Sequence, residues 1–150
     1  MSAARKTVAE LELPPHPSWE AVEARVAACL GKPLQVTALD GDEWASVTGL
    51  FLEAEECGYI FYRASDPPIY QQHSILHEFG HILLHNNECS ILEQLPRALV
   101  DGGGVSVAIR SAAARGLEVS PDELAAEAIS YALVEILFGA PTGSESAFGL

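Results

Sequence analysis

The stretch Ser74-Ile75-Leu76-His77-Glu78-Phe79-Gly80-His81-Ile82-Leu83-Leu84-His85 carries His77, Glu78 and His81 in the order H-E-x-x-H. On an α-helix, positions four apart lie about 40° apart around the axis and about 6 Å along it, so both imidazoles can reach one ion from a single face. Glu78 points about 100° round from His77, placed to hold a water beside that ion rather than to serve as an obvious third ligand. Ile75, Leu76, Phe79, Ile82, Leu83 and Leu84 make the rest of the helix apolar, which predicts a core helix with the metal face on a buried element. Buried histidines and a buried carboxylate are costly without a partner, and a divalent cation supplies one. The plainer reading is a hydrogen-bonded pair of core histidines.

The chemistry implied is that of a metallohydrolase. Three protein ligands leave a fourth position open, the metal draws the pKa of a water there towards about 7, and the carboxylate takes its proton as it attacks a carbonyl. Zinc is the expected ion, with manganese a possible substitute.

Working outward, residues 1–17 end in Pro14-Pro15-His16-Pro17 and read as an N-terminal arm. A helix is expected from near Ser18 to Gly31, with Val22, Val26, Ala27 and Leu30 on one side. Three β-like stretches follow, residues 34–38, 45–52 and 59–62, separated by Asp40-Gly41-Asp42 and by Glu55-Glu56-Cys57-Gly58. A small, largely antiparallel three-stranded sheet packed on the motif helix is the simplest arrangement. Asp66-Pro67-Pro68 breaks the strand pattern, and the motif helix is expected from about Gln71 to His85, ended by Asn86-Asn87. Residues 91–116 look helical in pieces, interrupted by Pro96 and by Gly102-Gly103-Gly104, which lacks the Lys-Ser/Thr of a phosphate-binding loop. A last helix opens at Ser120-Pro121-Asp122-Glu123 with an N-cap, a proline and first-turn acids, carries Leu124, Ile129, Leu133 and Ile136, and stops at Gly139 and Pro141. The fold class is therefore α+β: one domain over residues 18–138, followed by a flexible tail over 139–150.

Composition narrows the function. At 150 residues with an apolar fraction of 49%, the chain fits one globular domain. No apolar run approaches the roughly 20 residues needed to span a bilayer, and the start has no long apolar stretch behind Arg5-Lys6, so a cytoplasmic protein without membrane association is expected. Cys29, Cys57 and Cys89 contain no C-x-x-C pair and suggest reduced thiols. Eight basic against twenty-one acidic residues give a net charge of −13, which repels a phosphate backbone and disfavours direct nucleic-acid binding. A basic protein partner would instead be steered in.

A third ligand has to come from elsewhere. His73, His77, His81 and His85 form a stripe at four-residue spacing, but a straight helix cannot bring three such rings onto one ion, because the outer two sit about 12 Å apart along the axis. His73 and His85 are thus expected at the rim or behind the ligands. The last helix offers Glu123 and Glu127, four residues apart. Glu123 has the plainer reading of a capping-box residue and Glu127 that of a solvent-facing i,i+4 partner, yet neither explains two carboxylates kept together on an alanine- and leucine-rich helix. Glu123 is preferred as ligand with Glu127 behind it orienting a histidine; the reverse assignment stays open.

Val47-Thr48-Gly49-Leu50, Tyr59-Ile60-Phe61-Tyr62, the motif helix through His85, and Glu123 to Tyr131 together resemble, in content and order, the ImmA/IrrE family of small bacterial and phage metallopeptidases. The resemblance covers roughly residues 18–138. It implies a zincin-like, gluzincin-like core with a second helix supplying a glutamate, hence His77, His81 and Glu123 as ligands and Glu78 as base. It also implies an intracellular protein whose substrate is a helix-turn-helix transcriptional repressor controlling mobile-element or stress-response genes. The chain departs from the family pattern in its last helix, where Glu127 stands in place of an Asn and Ile129 in place of a Phe.

Three functions compete on these residues. The first is a zinc endopeptidase with Glu78 as general base, with Tyr131, His73 and His85 as candidates for contacting substrate. The second is a metal-stabilised regulator that sequesters a repressor or a toxin–antitoxin component without cutting it; Glu78 argues against this, since a structural zinc site is closed. The third, a deformylase-like amidohydrolase, wants a cysteine ligand in a Gly-Cys-Leu segment, whereas Cys57 sits in Glu56-Cys57-Gly58-Tyr59.

Overall fold

The computed structural model describes residues 2–40, 47–84 and 121–139. Among these, four helices and three strands form an α+β fold: α1 (Ala3–Ala9), α2 (Trp19–Leu30), β1 (Leu34–Leu39), β2 (Gly49–Glu53), β3 (Gly58–Arg63), α3 (Pro68–Leu84) and α4 (Pro121–Phe138). No helix among them is long and apolar enough to cross a membrane.

Local chemistry accounts for the helix ends. The Ser18 hydroxyl accepts from Ala21 N–H at 3.1 Å and caps α2. Gly31, at φ +79°, closes α2 by donating its N–H to the carbonyls of Ala27 and Ala28, a left-handed conformation that costs glycine no side-chain clash. The motif helix begins at Pro68, three residues before the expected Gln71. The reason is that proline suits a first helical turn, where its missing N–H is not needed.

The sheet is mixed, which corrects the largely antiparallel arrangement expected from the sequence. Its order is β1-β3-β2; β2 pairs antiparallel with β3, but β1 pairs parallel with it, Val36 opposite Ile60 and Thr37 opposite Phe61. Only the β2–β3 neighbours are joined by a short turn. The position of β1 is a non-local choice: β3 carries apolar residues on both faces and takes the covered centre, with Ile60 fully buried on the helix side and Phe61 packed with Leu52 on the other.

Two further expectations change. Residues 1–17 are not a bare arm: they contain α1, capped by Ser2, and Val8 and Leu11 enter the main core beside Leu133 and Ile129. Arg5 holds α1 to α4 through Glu135 at 3.1 Å. In α4 the buried stripe runs through Ala126, Ile129, Ser130 and Leu133, and Leu124, expected on it, lies off it and is exposed. Ser120, proposed as the α4 cap, lies outside the described residues, as do His85, Cys89, the glycine triplet and the tail beyond Gly139. Cys29 and Cys57 are free, half-buried thiols.

The core centres on Phe79, Leu76, Ile60, Leu133, Val22 and Val26, all essentially without solvent contact. The tightest approach is between α3 and α4 at Gly80. A Cβ there would come within 2.4 Å of the Ala126 carbonyl oxygen, backbone that cannot step aside. Glycine at this position is what lets the two helices touch.

Gly80→Ala is therefore expected to destabilise the fold by about 1–3 kcal/mol, the usual range for overpacking. Thermal unfolding followed by circular dichroism checks this; an unchanged melting temperature would mean that the helices are not packed this closely.

Candidate metal centre

Because α3 and α4 run antiparallel at the Gly80–Ala126 contact, residues four apart on one helix interleave with residues four apart on the other. The outcome is a ladder of alternating imidazoles and carboxylates: His73, Glu127, His77, Glu123, His81. His73 Nε2 lies 2.9 Å from Glu127 Oε1, and His77 Nδ1 2.6 Å from Glu127 Oε2. His77 Nε2 lies 2.9 Å from Glu123 Oε2, and His81 Nε2 3.0 Å from Glu123 Oε1. The rings of His77 and His81 stand edge to face with centroids 4.8 Å apart.

Glu78 approaches from the sheet side. Its carboxyl is buried and accepts a hydrogen bond from the Phe51 backbone N–H on β2. Gly49, also on β2, lines the same side: a Cβ there would stand 3.5 Å from Glu78 Oε2, an ordinary contact distance. Burial pushes the Glu78 pKa up to about 7, with Glu123 adding to the rise and His77 and the Phe51 N–H opposing it. Burial pulls His77 down, but Glu78 and the hydrogen bonds to Glu127 and Glu123 outweigh it, so the ring is more basic than usual. Glu127 is held below the ordinary carboxylate range, since its contacts with His73 and His77 overcome the effect of burial. The Tyr131 phenol, hydrogen-bonded to Glu127, is raised by burial and by that neighbouring charge.

His77, Glu78 and His81 form a group that could hold a metal ion, their ligand atoms lying within 4.8 Å of one another. The donor chemistry fits a cation. Both ring nitrogens of His77 face carboxylate oxygens, which is satisfied by two N–H donors or by one N–H at Nδ1 with a cation between Nε2 and Glu123. The Glu123 carboxylate faces both rings, one oxygen towards His77 Nε2 and the other towards His81 Nε2, so it could join these imidazoles around a cation. Two imidazoles and a carboxylate suit zinc.

The structure thus brings together His73, His77, Glu78, His81, Glu123, Glu127 and Tyr131 of the residues expected from sequence; His85 lies outside the described residues. Sequence reasoning passed over the Phe51 N–H and the glycines at 49 and 80. Gly80 did carry a signal, since a glycine inside an otherwise strong helix points to close backbone approach. The Phe51 contact carried none, because it depends on how β2 lies against α3.

Compared with known proteins, the chain matches no family model, no curated protein and no solved structure.

The arrangement predicts one equivalent of zinc bound after exchange into zinc buffer, accompanied by a raised melting temperature. Metal analysis should show His77→Ala and His81→Ala losing the ion, and Glu123→Ala weakening it by more than the roughly 10–100-fold typical of removing an outer partner.

Proposed function

We propose that this chain is a zinc-dependent endopeptidase of the ImmA/IrrE type, with a zincin-like core, acting in the cytoplasm on a specific protein. His77, His81 and Glu123 hold the ion, and Glu78 is the general base. When bound, the ion supplies Lewis acidity, polarising the scissile carbonyl and lowering the pKa of water. Glu78 takes a proton from the attacking water and returns it to the departing amine as the carbon–nitrogen bond breaks. A cation in the gap would draw the Glu78 pKa below its metal-free position, favouring the base form before attack.

The observation that carries this reading is the position of Glu78. It is buried beside the two histidines, yet its carboxyl is held by a strand backbone N–H instead of joining the Glu123 and Glu127 contacts. A purely structural site has no need of such a group. The proposed substrate, a helix-turn-helix repressor, follows from the motif resemblance and agrees with electrostatics: a net charge of −13 attracts the basic surface of a DNA-binding protein and repels DNA itself.

The test is to incubate the zinc-loaded protein with candidate helix-turn-helix regulators, with and without chelator, and to follow the products by mass spectrometry. The expected result is a discrete cut that chelation abolishes. Glu78→Gln should keep its zinc and lose turnover by at least the roughly 10²–10⁴-fold contributed by a general base. Tight binding without cleavage, unchanged in Glu78→Gln, would replace the peptidase reading with sequestration.

A further inference from the structure

Glu127 sits where three side chains meet, and the proposed reaction uses none of these contacts. Its Oε2 accepts from His77 Nδ1 at 2.6 Å, its Oε1 accepts from His73 Nε2 at 2.9 Å, and the Tyr131 hydroxyl bonds to the same carboxylate. The His73 ring lies against Tyr131 with centroids 5.6 Å apart. One turn of α4 earlier, Glu123 takes the opposite edge of the His77 ring.

We infer that Glu127 is a positioning residue: anchored by His73 and Tyr131, it locks the His77 ring through Nδ1, so that Nε2 presents its lone pair to the gap shared with His81 and Glu123. The inference rests on the reading of His77 as a ligand. The two nitrogens of an imidazole diverge, so one carboxylate cannot serve both edges, and Glu127 is committed to the edge that faces away from His81. Both its oxygens are engaged by imidazole nitrogens, and the 2.6 Å contact is in the range of charge-assisted hydrogen bonds. The i,i+4 step that separates Glu127 from Glu123 places one carboxylate on each edge of the same ring. Such an outer partner fixes the tautomer and orientation of a ligand and raises its basicity. His73 therefore acts at one remove, by holding the carboxylate that holds His77.

Two measurements on the full-length protein test this. In competition with a chromophoric chelator for zinc, Glu127→Ala is expected to weaken binding about 10–100-fold with one equivalent still bound at saturation, His73→Ala to weaken it by less than about tenfold, and Glu127→Gln, whose amide oxygen still accepts from Nδ1 but without the charge, by less than Glu127→Ala. In nitrogen-edited NMR of the histidine rings, the His77 Nδ1–H should be downfield and slow to exchange in the parent protein and in Glu127→Gln, and lost in Glu127→Ala, with or without zinc. An unchanged Nδ1–H signal in Glu127→Ala overturns the inference. So does a Glu127→Ala protein that takes up no zinc at saturation while Glu123→Ala still does. If the parent protein itself binds no zinc, the metal reading falls, and the ring-proton comparison still decides whether Glu127 positions His77.

Discussion

The close contact between α3 and α4 at Gly80 and Ala126 is the constraint on which the rest of the molecule turns. A side chain at position 80 would collide with the Ala126 carbonyl, so the absence of a Cβ sets how near the helix axes come. That spacing brings short glutamate side chains on one helix within hydrogen-bond distance of histidines on the other. The same contact lies one residue from His81, so packing and chemistry share a surface.

The ladder built on that contact is dense in ionisable groups and lies at the protein surface, its histidines and Glu127 half-buried and Glu123 exposed. Three imidazoles and two carboxylates alternate, and every rung pairs a group able to carry positive charge with one able to carry negative charge. Glu78 stands apart from the alternation, accepting from a β2 backbone N–H, and its burial is what raises its affinity for a proton. Two carboxylates on α4 and one on α3 are thus separated by environment: Glu123 and Glu127 bond to histidines, whereas Glu78 is buried with a raised affinity for a proton. The sheet contributes through β2, whose Gly49 and Phe51 shape the side of the site that faces away from α4.

Much of this was legible in the residues, and the parts that were not share a cause. Helical periodicity located α2, α3 and α4 and placed His77, Glu78 and His81 correctly on one core helix, because these are properties of a single segment. The strands were recognisable from β-branched and aromatic runs, but their pairing was not: β1 lies parallel to β3 because of burial on both faces of β3. The first helix was hidden by a short, alanine-rich sequence with little periodicity, and Val8 and Leu11 gain their place in the core only from α4 and its neighbours. Leu124 was misplaced for a related reason, since a helix apolar on much of its surface does not announce which stripe faces inward.

By itself, the sequence determined the spacing of the two histidines and the glutamate, the helix that carries them, the pair of carboxylates on a later helix, and the acidic balance of the chain. These follow from the 3.6-residue period and from side-chain chemistry, which act within a segment. Tertiary structure alone decided which edge of His77 each carboxylate meets, that Glu78 is held by a strand, and that His73 belongs to the same network. Those are relations between segments far apart along the chain, set by helix direction and register, neither of which has a local signature strong enough to be read in advance.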